Sequence, residues 1–125
     1  MFSNIDVVKV GRALNIDVYD TAVVQNTRYE NVRIEAADSS MIDLSSDMPP
    51  TWRTAANTSV TKDTYFINVA SDVKKPIVLH GKSSTVNIPG VHFSNVTVQG
   101  RALTSQTDAD ATWNINSYVS GITFK

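Results

Sequence analysis

Apolar and polar positions alternate with a period of two in a series of short segments along the chain, the pattern of strands with one buried face rather than of helices. One set of segments is Ala13-Leu14-Asn15-Ile16-Asp17-Val18, Met41-Ile42-Asp43-Leu44-Ser45 and Pro76-Ile77-Val78-Leu79-His80, with Ala102-Leu103-Thr104-Ser105 as its fourth member by position. A second set carries a repeated motif of an aromatic or apolar residue, a variable residue, Asn, then Val or Ile. Its copies are Phe2-Ser3-Asn4-Ile5, Tyr29-Glu30-Asn31-Val32, Phe66-Ile67-Asn68-Val69 and Phe93-Ser94-Asn95-Val96, with a weaker fifth in Val119-Ser120-Gly121-Ile122. The third positions are separated by 27, 37, 27 and 26 residues. One unit therefore carries an insertion, and the others are nearly equal. Gly11, Gly81, Gly90, Gly100 and Gly121 fall at the expected segment junctions, and Pro49, Pro50 and Pro89 in loops.

Short strands repeated at matched phase are compatible with a meander, a sandwich or a solenoid, and the period favours the last. In such a stack equivalent residues recur about 4.8 Å apart along one axis, so the recurring Asn forms a ladder whose amides satisfy backbone groups at a sharp turn. The expectation is an all-β chain: a single domain over residues 1–125, folded as a right-handed parallel β-helix of about four to five coils.

Composition narrows the function classes. The chain has 125 residues, 42% of them hydrophobic, and no Cys, so a core without staples is expected and disulfides and thiolate metal sites are excluded. Lys and Arg number 11 against 12 Asp and Glu, and neither sign gathers into a stripe able to neutralise phosphates, which argues against nucleic acid. No apolar run approaches the roughly 20 residues of a membrane helix. The opening residues lack the basic and apolar regions of an export signal.

Several stretches carry a resemblance: Tyr29 to Glu35, Met41 to Leu44, Lys75-Pro-Ile-Val-Leu-His-Gly81, Gly90 to Ser105, and Trp113-Asn-Ile-Asn-Ser-Tyr-Val-Ser-Gly-Ile-Thr-Phe-Lys125. Together they resemble the C-terminal coils of polygalacturonase-like glycoside hydrolases of the pectin-lyase fold. The resemblance implies a polysaccharide partner and a sugar cleft floored by the outward face of the second strand set. It also implies catalytic Asn-Thr-Asp, Asp-Asp, Gly-His-Gly and Arg-Ile-Lys motifs, and none of them occurs here. Asn26-Thr27-Arg28 ends in the wrong residue, and Leu79-His80-Gly81 lacks the first Gly.

Alternation on the second strand set places Asn15, Asp43, Val78 and Thr104 in one outer row and Asp17, Ser45 and His80 in the next. A Ser-His-Asp triad needs His in the middle, whereas the chain order puts Ser45 there. Trp52 and Arg53, inside the insertion, are candidates for stacking on a sugar ring. Asn15, Asp17, Asp43, Ser45, Trp52, Arg53 and His80 are thus the expected carbohydrate-binding residues, with no catalytic residue. His92 lies on another strand than His80, and Asp47, Asp108 and Asp110 lack a calcium-loop spacing, so no metal or cofactor is expected. Asn57-Thr58-Ser59 and Asn95-Val96-Thr97 match the glycosylation pattern without an export signal to give it meaning. Trp113 and Tyr118 are expected to close the last coil. The first coil, with no cap in its sequence, is expected to pair with a second copy in a homo-oligomer. The leading expectation is a non-catalytic module that binds carbohydrate along its side. The alternatives are an atypical hydrolase or lyase and a purely structural, self-assembling subunit.

Overall fold

The structure, a computed structural model, describes residues 1–47 and 58–125. Its regular elements are strands in chain order: β1 (Phe2–Val7), β2 (Val10–Asp17), β3 (Val23–Gln25), β4 (Arg28–Ile34), β5 (Ala37–Ser45), β6 (Val60–Lys62), β7 (Thr64–Ser71), β8 (Pro76–His80), β9 (Ile88–Val98), β10 (Arg101–Ala102), β11 (Thr112–Ile115) and β12 (Val119–Phe124). The protein is all-β. Strands β1, β4, β7, β9 and β12 pair side by side in parallel, with β10 antiparallel on β9. A second sheet runs β2, β5, β8, β11, again parallel, and β3 pairs in parallel with β6. The chain thus visits the first sheet, the second and the third in β1–β3 and again in β4–β6, each time one strand further on, and then passes from the first sheet to the second and back in β7–β9.

The Asn motif marks where β1, β4, β7 and β9 bend. Asn4, Asn31, Asn68 and Asn95 have φ of 56, 55, 52 and 52°, a left-handed conformation that Asn tolerates better than other side-chain-bearing residues. The bend shifts the side-chain alternation by one position, so Tyr29, Val32 and Ile34 all face inward, as do Phe66 with Val69 and Phe93 with Val96 and Val98. The amides bond in sequence along the column: Asn31 Nδ2 donates to Asn4 Oδ1 (3.2 Å), Asn68 to Asn31 (3.0 Å) and Asn95 to Asn68 (3.0 Å). These side chains are exposed, within or beside strands. They bond to each other rather than to buried backbone groups of a turn, which corrects the expected role. Phe2, Tyr29, Phe66, Phe93 and Phe124 stack at centroid spacings of 5.1–5.5 Å, from exposed Phe2 at one end through the interior, next to buried Ile34, Met41, Ile42, Leu44, Ile77 and Leu79.

A second left-handed column, not anticipated, runs through Asn26, Asp63, Gly90 and Gly121, with φ of 54, 52, 78 and 65°. At Gly90 a Cβ would also come within 2.6 Å of Asp63 Oδ1, so both conformation and space require glycine there. Gly121 lies over Gly90 because Val119 pairs with Ile88 and Ile122 with Val91. The weaker fifth motif copy is therefore out of phase with the Asn column, and Phe124, not Val119, is the residue that joins the aromatic stack. Gly11, Gly90 and Gly121 also lie within strands rather than at junctions.

The fourth member of the second strand set is likewise corrected. Gln99 and Gly100 have φ of 50 and 77°, the paired positive values of a tight hairpin turn, so Arg101 and Ala102 fold back on Val98 and Thr97. Thr104 then bonds to Asp108, and Thr112–Ile115 takes the place beside β8. Trp113 packs edge-on against Phe93 and Phe124, its Nε1 donating to the Asp108 carbonyl (3.2 Å). Tyr118, expected to help close this end, is 41% exposed.

Candidate functional site

The outward face of β2, β5, β8 and β11 brings most of the expected site residues together. Parallel register aligns Asn15 with Asp43 and Val78, and Asp17 with Ser45 and His80. Asn114, on β11, stands beside Val78 where Thr104 was expected. Tyr29 ties this sheet to the first: its hydroxyl donates to the Asn15 carbonyl at 3.3 Å. Burial pushes that phenol up, which keeps it a donor.

Arg12 organises the face. Its Nη2 lies 2.9 Å from Asp17 Oδ2, and its Nη1 donates to Asp17 Oδ1 (3.2 Å) and to Asp43 Oδ2 (3.4 Å). Burial opposes the guanidinium charge, but the hydrogen bonds and charges of Asp17 and Asp43 outweigh it and raise the Arg12 pKa. Ser45 Oγ donates to Asp43 Oδ1 at 2.6 Å, and Asn15 Nδ2 to Asp17 Oδ2 at 3.1 Å. All four carboxylate oxygens therefore accept hydrogen bonds. Asp43 and Ser45 are buried, 9% and 6% exposed, so this part of the face is less open than strand alternation implies. Alternation also hid Arg12, because a period of two groups it with Leu14 and Ile16 rather than with Asn15 and Asp17, yet its guanidinium reaches Asp17 and Asp43.

His80 is separate from that cluster. Its Nδ1 lies 3.3 Å from Asp47 Oδ2 and its Nε2 2.9 Å from Asn114 Oδ1. Ser45 bonds to Asp43, not to the imidazole, so Asp17, Ser45 and His80 are neighbours in a row without forming a relay. Asp47 and Asn114 were not among the expected site residues. The strand register supplies Asn114 once Thr112–Ile115 is recognised as the strand beside β8. Trp52 and Arg53 lie outside the described residues.

The remaining acidic candidates are engaged locally. Asp108 accepts from the backbone N–H groups of Thr104 and Ser105 and from the Ser105 hydroxyl (3.1 Å), and those backbone bonds hold its carboxyl below the usual range. Asp110 lies 3.7 Å from Arg101 Nε. Among the described residues no group of three or more His, Cys, Asp or Glu could hold a metal ion. Compared with family models, curated proteins and solved structures, the chain matches none.

Proposed function

We propose that the chain is a right-handed parallel β-helix of four to five coils, of the kind that ends polygalacturonase-like glycoside hydrolases, and that it binds carbohydrate along the outer face of β2, β5, β8 and β11 without cutting it. The repeated circuit through the same parallel sheets supports the coil reading. So does the aromatic stack inside it.

The observation that carries the non-catalytic reading is the Arg12 bridge. Inverting glycoside hydrolysis needs one carboxyl to donate a proton and another to activate water. Asp17 and Asp43 share one guanidinium, and each of their oxygens already accepts a bond, which leaves neither placed as the donor. The same mutual bonding fixes the polar groups before a ligand arrives and lowers the ordering cost of binding. Arg12, Asp47 and His80 remain partly open to solvent, and with Asn114 they offer donors and acceptors to sugar hydroxyls. Among the described residues β1 pairs only with β4 and β2 only with β5. Their free edges, with exposed Phe2 and half-buried Ile5, Val7 and Ile16, suit pairing with a second copy across a two-fold axis.

A glycan array probed with the wild type and with His80→Ala, followed by reducing-end assays on each bound glycan, tests the proposal. Binding lost in His80→Ala with no new reducing ends supports it. Release of reducing ends that Asp17→Asn or Asp43→Asn abolishes overturns it in favour of an atypical hydrolase. Absence of any bound glycan overturns the binding assignment.

A further inference from the structure

On the outer face of the first sheet lies a cavity of about 210 Å³ whose lining includes Arg28, Tyr65, Ile67, His92, Thr123 and Lys125. Parallel register sets Arg28, Tyr65, His92 and Thr123 side by side, one from each of four neighbouring strands. The Arg28 guanidinium sits 4.9 Å from the Tyr65 ring centroid. The Tyr65 ring stacks on His92 at 4.6 Å, and His92 Nδ1 is 2.8 Å from Thr123 Oγ1. Lys125 is anchored through its backbone: its N–H donates to the Phe93 carbonyl and its carbonyl accepts from Asn95 N–H, both at 2.9 Å.

Arg12, Arg33 and Arg101 each face a carboxylate, whereas among the described residues no carboxylate pairs with Arg28 or Lys125. Both faces of the Tyr65 ring are covered, one by Arg28 and one by His92, so that ring cannot stack on a sugar. Beside the apolar surface of Ile67 and Phe93, the cavity offers positive charge from Arg28 and Lys125 and the hydroxyl groups of Ser94 and Thr123. Its volume is below the roughly 300 Å³ at which pockets for drug-sized ligands begin, so it suits one charged group rather than an oligosaccharide.

We propose that this cavity binds a tetrahedral oxyanion, the phosphate or sulfate group of a monoester. A planar carboxylate would be satisfied by the Arg28 fork alone, whereas here Arg28 on β4 and Lys125 after β12 both line the cavity with Ser94 and Thr123, so a group with three or more acceptor oxygens can use more than one of them. The ring beneath Arg28 orients its guanidinium in advance, so less freedom is lost on binding. The site is distinct from the glycan-binding face.

The two histidines, His80 and His92, give separate NMR reporters for the two faces. Inorganic phosphate, inorganic sulfate, glucose 6-phosphate, glucose 6-sulfate and glucose are titrated while the His92 and Tyr65 ring signals are followed. Saturable shifts with the anions and none with glucose are expected, and the tighter ester identifies the source. Arg28→Gln should weaken binding at least about tenfold, whereas Lys9→Gln, the same charge removed from an exposed site, should leave it unchanged. If Arg28→Gln fails to fold, Lys125→Gln, expected to weaken binding, decides the matter. No saturation by any of the anions at about 50 mM, or binding by the lining variants equal to wild type, overturns the assignment. Shifts of His80 alone would leave the glycan proposal standing and this one refuted.

Discussion

Replacing Asn68 separates the two services that the Asn column performs. Asn68 holds φ at 52°, donates to Asn31 and accepts from Asn95, both at 3.0 Å. Alanine loses both bonds and must occupy the left-handed region, which costs about 1–2 kcal/mol for a residue with Cβ. Because water competes for these exposed amides, each bond contributes at the low end, about 0.5 kcal/mol. Asn68→Ala should therefore destabilise the fold by about 2–3 kcal/mol, which for a chain of this size lowers Tm by roughly 8–12 °C. Asn68→Gly loses the same bonds but accepts the conformation, so it should cost about 1 kcal/mol less. Urea unfolding of wild type and both variants, with unchanged m, gives the values. An Ala variant within about 0.5 kcal/mol of wild type, or a Gly variant less stable than the Ala one, would refute the reasoning.

Gly81→Ala should destabilise by about 1–3 kcal/mol, because its Cβ would meet Tyr118 Cβ at 2.6 Å and two carbonyl oxygens at 2.9 and 3.1 Å. Gly11→Ala, with nothing within 4 Å, should be neutral or slightly stabilising in the same melts. The Asp108 carboxyl should titrate below the ordinary carboxylate range by NMR. Its folded pKa is depressed, so its contribution to stability is present above the unfolded value and lost as pH falls through the folded one, and Asp108→Ala should flatten acid unfolding over that interval. Light scattering at micromolar concentration should give twice the 13.7 kDa chain mass, with Ile5→Lys shifting the protein towards the monomer. A mass of one chain that concentration does not change would exclude the pairing of free edges.

The repeat was legible because side chains at its first and third positions serve the same purpose in every unit. Aromatic residues at 2, 29, 66 and 93 stack on one another, the last three of them buried, and Asn at 4, 31, 68 and 95 bends the strand outside. The register of the Asp17, Ser45 and His80 row could be counted directly from strand alternation. Two local devices escaped that count. The hairpin at Gln99-Gly100 diverts Ala102 and Thr104 from the second sheet, and a Gln at positive φ carries little signal of its own. The guanidinium of Arg12 reaches Asp17 and Asp43, although a strict period of two places Arg12 on the opposite face. The Asn26-Asp63-Gly90-Gly121 column stayed hidden for a related reason. Three residue types satisfy one backbone conformation, so the positions share a φ without sharing a letter.

Binding without cleavage can be read in a single NMR time course of the protein with the soluble oligosaccharide that an array selects. The His80 ring signals report occupancy of the outer face, while the anomeric signals of the sugar report chain ends in the same tube. Binding without turnover gives a saturable His80 shift and a reducing-end signal that stays constant for the whole incubation. Growth of the reducing-end signal, or a His80 resonance that does not move when the sugar is in large excess, would contradict it.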